Sequence, residues 1–332
     1  MPERVVAFPV EDFPRSAVEF DERFGREQAC RDYLIGLRWP GGFRCPRCGH
    51  DRAWTNLRHL MVCTGCRHQT SLTAGTVLQG TRKPLRVWFR AMWWVSTQKT
   101  GGSAKGLMRL LGLRSYQTAW AWLHKLRRAM VRPDREKLAG AVEVDDAFVG
   151  GVEEGVHGRE TETKAKIVVA VELDGRRIGR TRIRHVPDFS AASLIPFVEE
   201  NVEPGAEVKT DGWEGYSGLK AKGYRHRVRV IGGDPKRASR LLPNVHRVIA
   251  LLKRWLLGTH QGAVSKEHLQ RYLDEFTFRF NRRKSRHVGK LFYRTVQQAA
   301  ASGHVPYREL LASPGQGRAQ RAPRKPQPVG AG

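Results

Sequence analysis

Several things are scarce in this 332-residue sequence, and each scarcity excludes something. No stretch reaches the ~18 consecutive apolar residues that a membrane-crossing helix needs, so no transmembrane segment is expected. The first 25 residues hold no uninterrupted apolar core, because Glu3, Glu11, Asp12, Glu19, Asp21 and Glu22 fall within them. That argues against a secretory signal and for a reducing cytoplasm. Cysteine is rare, five in all. In that compartment so few thiols argue for metal rather than a disulfide frame. Acid is scarce beside base: 32 Asp and Glu against 59 Lys and Arg leave a formal net charge of +27. A field of that sign and size has polyanions as its natural partner. A soluble basic surface or a ribosome-associated protein would carry such a charge too.

What is present suits a globular chain, 40% hydrophobic and long enough for two or three domains. Cys45-Pro-Arg-Cys48 and Cys63-Thr-Gly-Cys66 are two Cys-x-x-Cys pairs with 14 residues between them. Each pair points two thiolates at one spot, and two pairs complete the closed four-sulfur site of structural zinc. Gly49 and Gly65 suit the tight turns of such knuckles. Trp54 and Leu60–Val62 read as short strands. Cys30 is left over in an apparent helix from Glu27 to Leu37 and reads as a small buried residue. Arg44, Arg47, Arg52, Arg58 and Arg67 make the ribbon basic, which suits DNA contact or a purely architectural role.

Residues 84–131 read as helical. Leu85, Trp88, Phe89, Met92 and Trp93 recur at helical spacing, a pattern of core more than of base stacking. Ser103 is a candidate N-cap for a helix over Ala104–Leu111. A Gly112 turn leads to a second helix from Ser115 to Met130. Short helix, glycine turn and longer helix form a helix-turn-helix pattern, whose second helix would enter the major groove. Its polar positions include Arg127, and its candidate DNA-binding side chains are Ser115, Gln117, Thr118, Lys125 and Arg128.

From Ala139 the character changes. Apolar strand patterns over 141–149, 166–173 and 179–187 precede a helix over 190–201 and a strand ending at Thr210-Asp211-Gly212. Arg180, Arg182 and Arg184 share one alternating face. Strands with acids at their ends, followed by helices, suggest a mixed α/β sheet with a polar site along one edge. Alternation puts Glu143 and Asp145 on one face and Asp146 on the other. Asp145 and Asp211 are the candidate metal ligands, hard oxygen donors of the kind Mg²⁺ takes for phosphoryl transfer. Exposed strand-end acids would read the same way. In the next helix His246, Ala250 and Lys253 fall on one face, with His246 35 positions after Asp211.

The motifs RWPGGFRCPRCGH, VEVDDAFVGG, TDGWEGY, LLKRWLLGTH and SKEHLQRYLDEFTFRFNRR, taken together, resemble the zinc-ribbon insertion-sequence transposases of the ISXO-like group. The likeness runs from about Phe24 to Phe292. It implies an α+β multidomain chain: a zinc ribbon, a helix-turn-helix region and an RNase-H-like catalytic domain of the Asp-Asp-Glu type. The boundaries expected are 1–80, 81–138, 139–305 and a basic, disordered tail over 306–332. Asp145 and Asp211 become the catalytic aspartates. The third acidic position, seven residues before Lys253, is His246 here, a departure that suits Mn²⁺ better than Mg²⁺. Asn244 is an alternative ligand, out of line with Lys253. The implied chemistry is two-metal phosphoryl transfer on double-stranded DNA, at terminal inverted repeats and at target sites, by a homo-oligomer at the nucleoid. Lys253 would hold a phosphate. Arg279, Asn281, Arg282, Arg283, Lys284 and Arg286 would contact the DNA backbone. A catalytically inactive, transposase-derived DNA-binding protein is the alternative.

Overall fold

The computed structural model describes residues 11–132, 135–151, 161, 163–175, 177–229, 240–262 and 264–311. The sequence beyond Leu311, most of the expected tail, lies outside them. Tyr307–Leu311 within that tail is a short helix, α10, whose Leu310 is buried with Val305 against Ala121. Among the described residues no helix is long and apolar enough to cross a membrane.

The N-terminal half is organised by aromatics. Helices α1 (Ala17–Phe24), α2 (Glu27–Arg38), α3 (Leu85–Thr97), α4 (Ala104–Leu110) and α5 (Tyr116–Ala129) share one apolar core. Trp88, Phe89, Met92 and Trp93 all turn into it, as their helical spacing predicts. Trp88 stacks on Trp122 of α5 with centroids 3.7 Å apart, which fixes α3 against the second helix of the helix-turn-helix. Ser103 and Ser115 cap α4 and α5 by accepting from Gly106 N and Thr118 N. The start of α3 has no cap of its own; Glu27 of α2 accepts from Leu85 N and Arg86 N at 2.7 and 3.0 Å. Cys30 is buried in this core and its thiol is pushed up to about 12 by burial, as befits an inert residue. Helix α9 (Val288–Ala301) also belongs here: Phe292 sits among Phe20, Phe24, Phe89 and Trp93. The sequence assigned it to the catalytic domain, but its apolar stripe is covered by α2 and α3.

The ribbon is a three-stranded antiparallel sheet: β1 (Ala53–Thr55), β2 (Leu60–Cys63) and β3 (Gln69–Ser71). Its own core is small, built on Phe43, Cys45, Met61 and Cys63.

The C-terminal half is a five-stranded sheet of order β6-β5-β4-β7-β8. Its strands are β4 (Ala141–Val149), β5 (Ala165–Asp174), β6 (Arg177–Val186), β7 (Glu207–Thr210) and β8 (Arg225–Val228). The β4, β5 and β6 meander is antiparallel, whereas β7 and β8 run parallel to β4. This is the RNase-H-like arrangement. Helix α6 (Ala191–Asn201) covers one face; α7 (Pro243–His260) and α8 (Lys266–Asn281) cover the other. The middle of β5 is therefore buried on both sides, which is why Ile167–Val171 is apolar without alternation. The outer edge of β6 is closed by side chains of α8. Asn281 accepts from Thr181 N and donates to Thr181 O, and Gln270 accepts from His185 N. That removes a free strand edge.

The two halves meet along α5 and α8 through buried charge. Arg127 donates to Glu275 at 2.7 Å, with both side chains at most 2% exposed. Arg279 donates to the same carboxylate at 2.9 Å and to the carbonyl of Gln98 at the end of α3. Arg127 and Arg279 are therefore structural cations, which corrects the reading of Arg279 as a DNA-backbone contact.

Candidate functional site

Two clusters of metal-ligand type occur among the described residues. In the first, the sulfurs of Cys45, Cys48, Cys63 and Cys66 lie within 4.8 Å of one another. Cys45 to Cys66 and Cys48 to Cys63 are both 3.6 Å. Zinc–sulfur bonds of 2.3 Å in a tetrahedron place sulfurs about 3.8 Å apart, so the site fits zinc with almost no movement. The two knuckles are built alike. Gly49 N and Arg67 N donate to the carbonyls of Cys45 and Cys63, and both residues are left-handed, with φ of 75° and 59°. The expectation that Gly65 supplies the second tight turn is corrected: Arg67 does. Gly65 is small for a different reason, since a Cβ there would lie 3.2 Å from the His50 ring.

The second cluster joins Asp145, Asp146 and Asp211, whose carboxylates also lie within 4.8 Å of one another. Asp145 is on β4 and 6% exposed. Asp211 follows the last residue of β7, where Gly212 (φ 91°) turns the chain and Trp213 N donates back to the Asp211 carboxylate. Asp146, which alternation puts on the opposite face, joins them. β7 pairs with β4 only over Ala141–Glu143, so Asp145 and Asp146 lie past the last residue paired with β7 while β5 still pairs them.

Helix α7 brings His246 to the cluster, with Nε2 3.5 Å from the Asp145 carboxylate. That nitrogen is screened from solvent and has no hydrogen-bond partner among the described residues. An orphaned imidazole nitrogen facing a carboxylate is what a shared cation would satisfy, since neighbouring donors around one ion sit about 3 Å apart. Burial and the charge of Lys253 hold the imidazole below the usual histidine range, against the pull of Glu143 and Asp211. It is therefore neutral at pH 7, the form that ligates. Lys253 lines the same cavity of about 760 Å³, with Asp145, Asp146 and Lys164. Desolvation and the like charge of Lys164 lower its pKa, with Asp145 opposing.

Glu143, which alternation places on the face of Asp145, has no role assigned from the sequence. Its buried carboxylate accepts from Asn244 N, Asn244 Nδ2 and Val245 N at 2.8–2.9 Å. It thus caps α7 from across the sheet, close to the positive end of that helix. The Asn244 amide nitrogen is engaged by this contact.

The other sequence candidates scatter. Ser115 and Thr118 form the α5 cap, and Ser115 also donates to Gln117. Gln117 and Arg128 are exposed and Lys125 is half-buried. Most of α5 is packed away, so its exposed N-terminal residues, Tyr116 and Gln117, are what it can offer a groove. Arg283 is tied to the carbonyls of Ile178 and Gly179. Arg282 lines two cavities.

Residues 137–281 match the family described as ISXO2-like transposase domain, and residues 25–69 match the transposase zinc-ribbon domain. A comparison with curated proteins finds no match. Among solved structures, a crystal structure of a pre-cleavage Mos1 transpososome is similar at 15% identity, over 68% of this chain and 82% of that one. Its TM-score of 0.24 is too low to carry an argument about the site.

Proposed function

From the premise that this chain belongs to the zinc-ribbon transposases of the ISXO2-like group, we propose that it cuts DNA at transposon ends and joins the freed ends to target DNA. The observation that carries this reading is the second cluster: three carboxylates with the orphaned His246 Nε2 3.5 Å from one of them. Asp145, Asp211 and His246 would hold divalent cations there, with Asp146 as a further oxygen donor. Divalent cations held there, Mg²⁺ or Mn²⁺, supply charge neutralisation at the phosphate and a lower pKa for the attacking water.

The chain's own groups do the rest. Lys253 and Lys164 present point charges to the phosphate oxygens. Glu143 fixes the start of α7 and through it His246. In the first step a water oxygen bonds to phosphorus and the bond to the 3′-oxygen breaks, freeing a 3′-hydroxyl. That hydroxyl then attacks a target phosphodiester in the same manner. The partners are double-stranded DNA, as terminal inverted repeats and as target, and a second copy of the chain in the synaptic complex. The work is done on chromosomal DNA in the cytoplasm. The four-cysteine site is structural, with zinc as its ion.

His246 in a position where the family pattern has an acid favours one second reading, a DNA-binding protein without catalysis. A strand-transfer assay separates them, using duplexes that carry the inverted repeats flanking the gene, with Mg²⁺ and with Mn²⁺. The wild-type chain should give joined products in at least one metal, and Asp145→Asn none. Intact DNA binding with no product in either metal would establish the second reading.

A further inference from the structure

Between the outer edge of β6, the end of α8 and the segment leaving α5 lies a cavity of about 280 Å³. Arginines dominate its wall: Arg132, Arg135, Arg180, Arg182 and Arg282, with Glu136 and Asp274 as its carboxylates. Arg180 is accounted for, because Glu136 and Glu172 take it at 2.8 and 2.7 Å. The rest are not. Arg182 is 4% exposed and donates to the carbonyls of Thr181 and Glu136. Arg282 donates to the carbonyl of Phe278 and stacks 4.0 Å over its ring. Arg135 donates to the side-chain oxygen of Asn201. Carbonyl oxygens satisfy donors without cancelling charge.

Asp274 is one counter-charge set against them, to Arg135 first. Burial pushes its carboxyl up to about 6, and it accepts from Gln270. Arg182 and Arg282 are each pulled down to about 10, by burial first and by neighbouring arginines next. Among the described residues the wall holds more arginines than carboxylates, and a surplus of partly desolvated cations favours an anion among them.

We propose that this cavity is an oxyanion site that holds a phosphate group of a DNA backbone. Guanidinium forks match phosphate oxygens two at a time, which lysine cannot do. The cavity also continues: Asn281 and Arg282 line a second one of about 340 Å³ with Lys284 and Arg286. Cationic pockets in series fit a polyphosphodiester better than a lone ion. Arg182 pairs through Ala170 with Val144, the neighbour of Asp145. Its backbone therefore lies two strand spacings, about 10 Å, from β4, on the ladder row next to that of Asp145 and facing the other side of the sheet. The reading of this chain as a DNA-processing enzyme names the ligand; the arginine chemistry alone asks only for an oxyanion.

The test is duplex binding by the full chain across a salt series, for wild type, Arg182→Gln and Arg282→Gln. Each variant should lose affinity about three- to tenfold and flatten the slope of log K against log salt by about 1. Arg282→Lys should keep the slope. Because Arg182 is buried, Arg132→Gln, at an exposed position, carries the test if Arg182→Gln fails to fold. A second arm uses inorganic phosphate, which should raise the melting temperature of wild type more than of Arg282→Gln at equal ionic strength. If wild type binds duplex and the variants bind it with the same slope, the cavity is not a phosphate site, and the transposase reading stands. If wild type binds no duplex, that reading fails; phosphate stabilisation lost in Arg282→Gln then sustains the site with a free oxyanion as its ligand, and equal stabilisation overturns it.

Discussion

The two ligand clusters are built in opposite ways. The four cysteines come from two short turns, each closed by its own backbone hydrogen bond, in a region with a very small apolar core. The aspartates and His246 come from two strands and a helix, held by a sheet buried on both faces. On the proposed reading, metal makes the fold in the ribbon, whereas in the sheet the fold makes the metal site. Removing metal should therefore have very different consequences in the two places.

The largest effect expected follows directly. Cys63→Ser should unfold the ribbon, a loss of about 10 kcal/mol of zinc-coupled folding energy, and leave the sheet's melting transition in place. Hydrogen exchange resolved along the chain reads both at once. Loss of protection throughout would mean that the ribbon and the sheet fold as one unit, and the contrast would break.

The seam between the halves comes next. Glu275→Ala strands Arg127 and Arg279 without their carboxylate and should cost about 3–5 kcal/mol. Denaturant unfolding measures it. A change under 1 kcal/mol would mean that the two halves are joined by packing alone.

Glu143 sharpens the view that the sheet pre-forms its site. Glu143→Ala leaves three donors at the start of α7 unpaired and should cost about 1–3 kcal/mol. It should also weaken Mn²⁺ binding at the aspartates, because the helix that carries His246 loses its anchor. Stability lost with metal affinity unchanged would assign Glu143 a purely structural role.

The smallest effect is a pH dependence. His260, beside the seam, has its pKa lowered from 6.5 to about 4, by burial first and then by Arg127. A group depressed in the folded state adds stability that is present above 6.5 and lost as pH falls toward 4. About 1 kcal/mol should disappear over that window, given the partial exposure of the ring. His260→Asn should flatten the melting-temperature profile there, and an unchanged profile would assign the acid sensitivity to other groups.

The same contrast explains what the sequence reveals and what it hides. The ribbon is legible because every ligand lies within a turn of another, although which residue takes the left-handed conformation is not: Arg67 does so where Gly65 was expected. The aromatic helix α3 is legible from its spacing. Asp145 and Asp211 are legible as acids at the ends of apolar strands. Asp146 is hidden, because alternation stops deciding a side chain's place where the neighbouring strand ends. Glu143 and Arg127 are hidden for a simpler reason: their partners lie 101 and 148 residues away, and nothing local marks them.

The central claim is that Asp145, Asp211 and His246 form a divalent-metal centre separate from the zinc ribbon. Titrating the zinc-loaded chain with Mn²⁺, followed by electron paramagnetic resonance, tests it most directly. Wild type should take up Mn²⁺ with zinc retained, and Asp145→Asn should lose that uptake while keeping its zinc and its fold. Equal Mn²⁺ uptake by the wild-type and Asp145→Asn chains would contradict the account.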